Sequence, residues 1–284
     1  MGRQDIVIIG APRSGTNMLR DVLTRLPGVG TWPCDEINYI WRHGNIRYPS
    51  DAFPADLARP EVVTYIRRQF EKQEKSHGLK FLVEKTCANS LRAEFVDKVL
   101  PGAKYVYIVR DGRDAVASAM KRWKAALDLT YILQKVRYVP VSDLAYYGLN
   151  YLGNRVYRLS SKESRLAYWG PRLNGMDSIL AEHDLAGVCA IQWRECVNHA
   201  DDAFCQIPSE RVHQLSYERF VADPLFELEQ LCDYLGISLP EHGRERIIGS
   251  ISRSSLGKGI DELGKQLSGI EPLMEATLRR HGYL

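Results

Sequence analysis

An α/β fold on a doubly wound parallel sheet, with helices on both faces, is what this chain of 284 residues predicts. Three observations carry the prediction. Short apolar runs rich in β-formers recur along the chain. Amphipathic stretches of helical period fill the intervals between them. The first run ends in a glycine loop of phosphate-binding outline, which makes the fold P-loop-like.

"DIVIIG" (Asp5–Gly10) reads as a buried strand because it is apolar, short and closed by glycine. Ser14 to Leu26 reads as a helix, stopped by Pro27-Gly28. "LKFLVE" (Leu79–Glu84) is a second strand, and "NSLRAEFVDKVL" (Asn89–Leu100) an amphipathic helix that ends at Pro101-Gly102. "KYVYIVR" (Lys104–Arg110) is a third strand, and "DGRDAVASAMKRW" starts the next helix. "RVHQLSY" (Arg211–Tyr217) is a late strand, followed by the helix "PLFELEQLCDYLG" with Gly236 as its stop. Residues 123–187 break the alternation. They are rich in Tyr, Arg and Lys and lack a clear strand. They predict a mostly helical insertion over one face of a single domain spanning 1–284, with packing or acceptor binding as its role.

Composition is that of an ordinary globular protein, 45% hydrophobic and 26% charged. A net charge of +3 does not suggest a nucleic-acid coat. Six cysteines, at 34, 87, 189, 196, 205 and 232, form no C-x-x-C pair, so they read as reduced core residues and not as a zinc or redox site. The run "IVII" is too short for the core of a signal peptide. No apolar run reaches about 18 residues, so no membrane span is expected and a cytoplasmic protein is the default.

The loop "GAPRSGT" lacks two parts of a nucleoside triphosphate site. Where Lys and then Ser/Thr would reach the phosphates and Mg²⁺, the chain has Thr16 and Asn17. What remains is backbone N–H groups at Gly15, Thr16 and Asn17, hydroxyls at Ser14 and Thr16, and the planar fork of Arg13. These suit a phosphate or sulfate-like anion held without metal at a helix N-terminus. Arg110 ends a strand, and Ser118 lies about two turns into the following helix. Since ligands of open sheets sit at the carboxyl ends of strands, Arg110 shares a crevice with the first loop.

"GAPRSGT" together with "IVRDGRDAVAS" resembles the two nucleotide signatures of the sulfotransferases that use 3′-phosphoadenosine 5′-phosphosulfate (PAPS). The chain is similar to bacterial members, with a motif layout similar to the tyrosylprotein type. The resemblance implies that Arg13, Ser14, Gly15, Thr16 and Asn17 hold the 5′-phosphosulfate end. It implies that Arg110 and Ser118 hold the 3′-phosphate. "VEKT" resembles the stretch that carries the family's basic residue, here Lys85, and "LSYERFVADP" the late strand and turn, here with Tyr217. "SSLGKG" resembles the loop that closes on the nucleotide, giving Ser255 and Lys258. Members usually carry an aromatic residue after that lysine. This chain has Gly259, which implies a looser loop. "RRHGYL" is also similar to bacterial members. The product would be adenosine 3′,5′-bisphosphate (PAP), and no metal is needed.

Transfer to a hydroxyl needs a general base. Glu36, in "TWPCDEINYIW", is the candidate because a Glu follows the first helix at similar spacing in the related enzymes. Asp35 and His43 are its rivals. Lys85 would stabilise the leaving oxygen. Arg13 would share that charge. Asn89 and Trp32 could line the cleft, or serve as helix cap and core aromatic. "YWGPR" (Tyr168–Arg172) could meet the acceptor or end a helix. The expected acceptor is a glycan or other carbohydrate, with a tyrosyl peptide or small metabolite next. The rival classes are a nucleotide kinase with a degenerate loop and a non-catalytic nucleotide-binding module.

Overall fold

The computed structural model describes residues 3–124, 138–144, 146–148 and 168–284, without the side chains of His77 and Ser255. The chain opens with β1 (Gln4–Ile9), α1 (Thr16–Leu23), β2 (Val29–Thr31), α2 (Asn38–Arg42) and α3 (Pro60–His77). Next come β3 (Phe81–Lys85), α4 (Ala93–Val99), β4 (Lys104–Val109) and α5 (Gly112–Lys124). After residue 168 follow α6 (Met176–Glu182), α7 (Leu185–Phe204), β5 (Val212–Ser216), α8 (Tyr217–Ala222) and α9 (Pro224–Leu235). The described chain closes with α10 (Arg244–Ile248), α11 (Gly259–Leu263) and α12 (Leu267–Arg280).

The sheet runs β2-β3-β1-β4-β5, and every strand pair is parallel. Side chains alternate between its faces, as strand geometry demands. Ile6 and Ile8 of β1 pack with Leu19, Val22, Phe220 and Leu228 from α1, α8 and α9. Val7 and Ile9 pack the other way, in a core with Trp41, Phe70, Val96, Val116 and Trp193 from α2, α3, α4, α5 and α7. Both faces are therefore covered, and the doubly wound arrangement holds.

The register aligns the strand ends that carry the candidate residues. Ile8 lies opposite Lys85, Ile9 opposite Tyr107, and Val109 opposite Ser216. The chain crosses from β3 to β4 over β1, so the switch point of the sheet lies between β1 and β4. That is where a doubly wound sheet opens a crevice.

Two predicted helices begin later than the sequence suggested. Ser14 belongs to a turn closed by Ser14 N–H to Ala11 C=O, and α1 starts at Thr16. The stretch from Asn89 divides into a 3₁₀ turn over Cys87–Leu91 and then α4. Arg92, at φ −147°, interrupts it, because its side chain is buried and bonded to Asn89 and Asn38. Of the predicted insertion at 123–187, residues 125–137, 145 and 149–167 lie outside the described part. Within the described part, Val141–Asp143 forms a 3₁₀ turn, and α7 begins at Leu185 as a core helix.

Candidate active site

The β1–α1 loop is built around two left-handed residues. Arg13 has φ 70° and Gly15 φ 92°. At Gly15 a Cβ would stand 2.4 Å from the Tyr217 ring, so only glycine fits there. No side chain caps α1 and no acid occupies its first turn. Its leading N–H groups and positive dipole end face the crevice. Ser14 is fully buried, and its Oγ has no partner among the described residues. A buried hydroxyl in this state fits a loop shaped for an oxyanion, so the residues present suit a phosphosulfate group.

The Arg13 loop and the Arg110–Ser118 stretch meet. Arg13 Nε donates to Ser118 Oγ at 2.9 Å, and Arg110 Nη1 donates to the Arg13 carbonyl at 3.1 Å. Arg110 is almost fully buried and lies 4.4 Å over the Tyr217 ring. Its Nη2 reaches Asp114 Oδ2 at 3.1 Å. Burial together with the Arg122 and Arg110 charges lowers the Arg13 pKa. Such crowding of cations is relieved by an anionic ligand.

Lys85 ends β3 on the far side of this loop, 3% exposed. Its Nζ donates to Asp35 Oδ1 at 3.0 Å and to Glu36 Oε1 at 3.1 Å. Burial disfavours the ammonium, but Glu36 and Asp35 more than offset it and raise its pKa above the ordinary lysine value. Glu36 Oε1 also accepts the Cys87 N–H at 3.2 Å. Asp35 differs from its neighbour. Arg20 Nη1 grips the same Asp35 Oδ1 at 2.6 Å. Burial works against this carboxylate, yet Lys85 and Arg20 hold its pKa well below the usual carboxylate range. A group kept ionised in this way is a poor proton acceptor.

These side chains line one cleft of about 620 Å³. Arg13, Gly15, Thr16, Asn17, Asp35, Glu36, Lys85, Arg110, Ser118 and Tyr217 all border it. Its outer wall is Tyr168–Pro171, with Asn38 and Tyr39 nearby. The wall is pinned from behind. Gln192 Nε2 donates to the carbonyls of Trp169 and Pro171 at 3.0 and 2.7 Å. Asp51 Oδ2 accepts the Arg172 N–H at 2.8 Å.

Other candidates lie elsewhere. His43 Nδ1 is 2.9 Å from Asp143 and its ring sits on Tyr65, outside the cleft lining. Asn89 is fully buried and donates to Glu84. Trp32 is core, edge-on to Phe70. Lys258 is exposed and does not border the cleft. The loop it belongs to is firmly seated, contrary to the looseness that Gly259 implied. Gly257 N–H and Gly259 N–H donate to Asp114 at 2.9 and 2.6 Å. A Cβ at Gly259 would stand 2.4 Å from backbone atoms of Arg113 and Asp114, so no side chain fits. Ser255 closes the 3₁₀ turn just before this loop. Sequence reasoning passed over Cys87 and Arg122, both of which line the cleft. Arg122 stands four residues after Ser118 on α5, a spacing that puts the two on one helix face.

Among the described residues no helix is long and apolar enough to cross a membrane. No cluster of His, Cys, Asp or Glu among them could hold a metal ion. The family model described as Sulfotransferase domain matches residues 3–258. Sulfotransferase STF9 from Mycobacterium avium has a similar structure, at TM-score 0.56 and 14% identity, over 98% of this chain and 76% of that one. Mouse sulfotransferase SULT7A1 complexed with PAP gives TM-score 0.53 and 14% identity, over 98% and 86%. The sulfotransferase domain from the curacin biosynthetic pathway gives 0.51 and 16%, over 84% and 76%. No curated protein gives a significant sequence match.

Proposed function

The chain belongs to the sulfotransferase family, a PAPS-dependent class acting on hydroxyl acceptors, and from that premise we propose how its residues divide the work. When bound, the donor supplies an activated sulfuryl group on a phosphate leaving group. The α1 amides, Ser14, Thr16, Asn17 and Arg13 hold its 5′ end. Arg110 and Ser118, with Tyr217 beneath, hold the 3′-phosphate. The loop carrying Ser255 and Lys258 covers the nucleotide from its seat on Asp114. Lys85 stabilises charge that develops on the leaving oxygen, as pre-aimed cations do in a dry site.

Glu36 takes the proton from the acceptor hydroxyl. The observation that carries this reading is the placement of Lys85 between Glu36 and Asp35, at the strand end facing the Arg13 loop. It joins a base candidate and a leaving-group cation in one cleft. Asp35 is the weaker candidate because Arg20 and Lys85 hold it ionised. The acceptor we infer is a carbohydrate. Tyr39, Tyr168 and Trp169 border the cleft, and aromatic faces of this kind suit sugar rings. A tyrosyl peptide is the second reading, favoured only by motif layout.

Glu36→Gln keeps the shape of the side chain and removes its proton affinity. Turnover of labelled PAPS against a glycan panel, read by mass shift, should fall by about two to four orders of magnitude. PAP binding by calorimetry should stay near wild type and should not respond to EDTA. Near-normal turnover in Glu36→Gln would remove Glu36 from the mechanism. Turnover at all separates the enzyme from a non-catalytic binding module.

A further inference from the structure

The segment Arg279–Leu284 has no place in the reading above, yet it reaches the nucleotide site from behind. Tyr283 Oη lies 2.8 Å from Glu218 Oε2 and 3.3 Å from the Val109 carbonyl. Glu218 Oε1 accepts the Asp111 N–H at 3.0 Å, and Ser216 Oγ donates to Oε2 at 2.9 Å. Val109 and Asp111 are the two neighbours of Arg110. The backbone is therefore gripped on both sides of that arginine by one carboxylate and one phenol. Arg113 Nη2 closes the loop by donating to the Tyr283 carbonyl at 2.9 Å. His281 Nε2, 3.0 Å from Asp201, anchors the segment on α7.

We propose that Tyr283 and Glu218 form a brace that positions Arg110 for the 3′-phosphate of the nucleotide, an inference that rests on the assignment of Arg110 to that phosphate. A guanidinium binds a phosphate through two parallel N–H bonds, and that geometry is sensitive to small displacements. The Arg110 side chain already leans on Asp114 and Tyr217. β4 ends at Val109, so Arg110 is the first residue past the strand. The phenol has one proton. The short bond to Glu218 takes most of it, and the longer contact to Val109 follows. Glu218 in turn fixes the amide that precedes α5, where a carboxylate also suits the helix dipole. Neither residue borders the cleft, so both act through Arg110 and not on the ligand.

The test compares two nucleotides that differ only in the 3′-phosphate, PAP and adenosine 5′-phosphate, by calorimetry on the full chain. Tyr283→Phe should weaken PAP by about three- to tenfold, the usual worth of a charge-assisted bond lost behind a site. Adenosine 5′-phosphate should bind as to wild type. Glu218→Ala should weaken PAP further, and adding Tyr283→Phe to it should change little, because both act through one carboxylate. Arg110→Ala is the control. If it keeps the wild-type preference for PAP, the assignment of Arg110 falls and the brace with it. If Arg110→Ala loses the preference while Tyr283→Phe keeps it, the brace alone is overturned. Equal weakening of both nucleotides by Tyr283→Phe, with a lowered melting temperature, would show general loosening and overturn it as well.

Discussion

Glu84 is a carboxyl group without access to water, and it ties stability to pH. It sits in β3 at 0% exposure. Trp41 Nε1, Thr86 Oγ1 and Asn89 Nδ2 donate to it at 3.1, 2.5 and 2.8 Å. Burial raises its pKa, and the hydrogen bonds, with Arg92 and Lys85, pull it back only part way, to about 7 from the ordinary 4.5. Between those values the folded protein holds a proton that the unfolded chain has released. Stability from this group is therefore lost as pH rises from 4.5 to 7, and stays lost above. At about 1.4 kcal/mol for each tenfold change in proton affinity, the full loss is about 3 kcal/mol.

Glu84→Gln isolates the effect. The amide cannot ionise, and it sets its NH₂ against Asn89 Nδ2, a cost that does not vary with pH. His213 works in the opposite direction in the same range, since burial lowers its pKa and its stability contribution is lost on acidification. It is common to both proteins and drops out of their difference. Urea unfolding at steps from pH 5 to pH 8 gives that difference. The variant should gain about 2–3 kcal/mol on wild type across the range. A difference that stays constant with pH would refute a proton on buried Glu84.

Two further outcomes follow from the packing. Gly259→Ala should destabilise the fold by about 1–3 kcal/mol in urea unfolding, because its Cβ meets backbone on α5 rather than a side chain that can turn away. A neutral Gly259→Ala would mean that α11 lifts freely from α5. All six cysteines are free thiols, with Cys205 exposed and Cys34, Cys189, Cys196 and Cys232 buried. Thiol titration should recover one readily in the native protein and all six after denaturation without reductant. Recovery of four would mean that a disulfide forms.

The sequence made the strand ends legible, and for a physical reason. β1, β3, β4 and β5 are runs of β-formers that end at Ile9, Lys85, Val109 and Ser216, so each motif stands beside the run that positions it. β2 was passed over because Val29–Thr31 is three residues long and carries a glycine. α3 was passed over because charged residues such as Arg67, Arg68, Glu71 and Lys72 crowd around the stripe Val62, Ile66 and Phe70, spaced four residues apart, which is what the core uses. α7 has little amphipathic pattern to find, since it is buried nearly all round over its first half.

The site shows the same division between what local pattern holds and what only the fold supplies. Asp35 and Glu36 are adjacent carboxylates, and spacing cannot rank them. Arg20 ranks them, from the last turn of α1, by taking Asp35 as its partner. Gly259 is the sharpest case. Read along the chain, a glycine where an aromatic residue is usual suggests slack. Read in space, it is the one residue that lets α11 approach α5 closely enough for two backbone N–H groups to reach Asp114, the carboxylate that also holds Arg110. A larger side chain there would push the loop away from Asp114 and Arg110. The missing side chain therefore tightens the link between loop and site, which local composition cannot express, because the atoms it makes room for lie some 145 residues earlier in the chain.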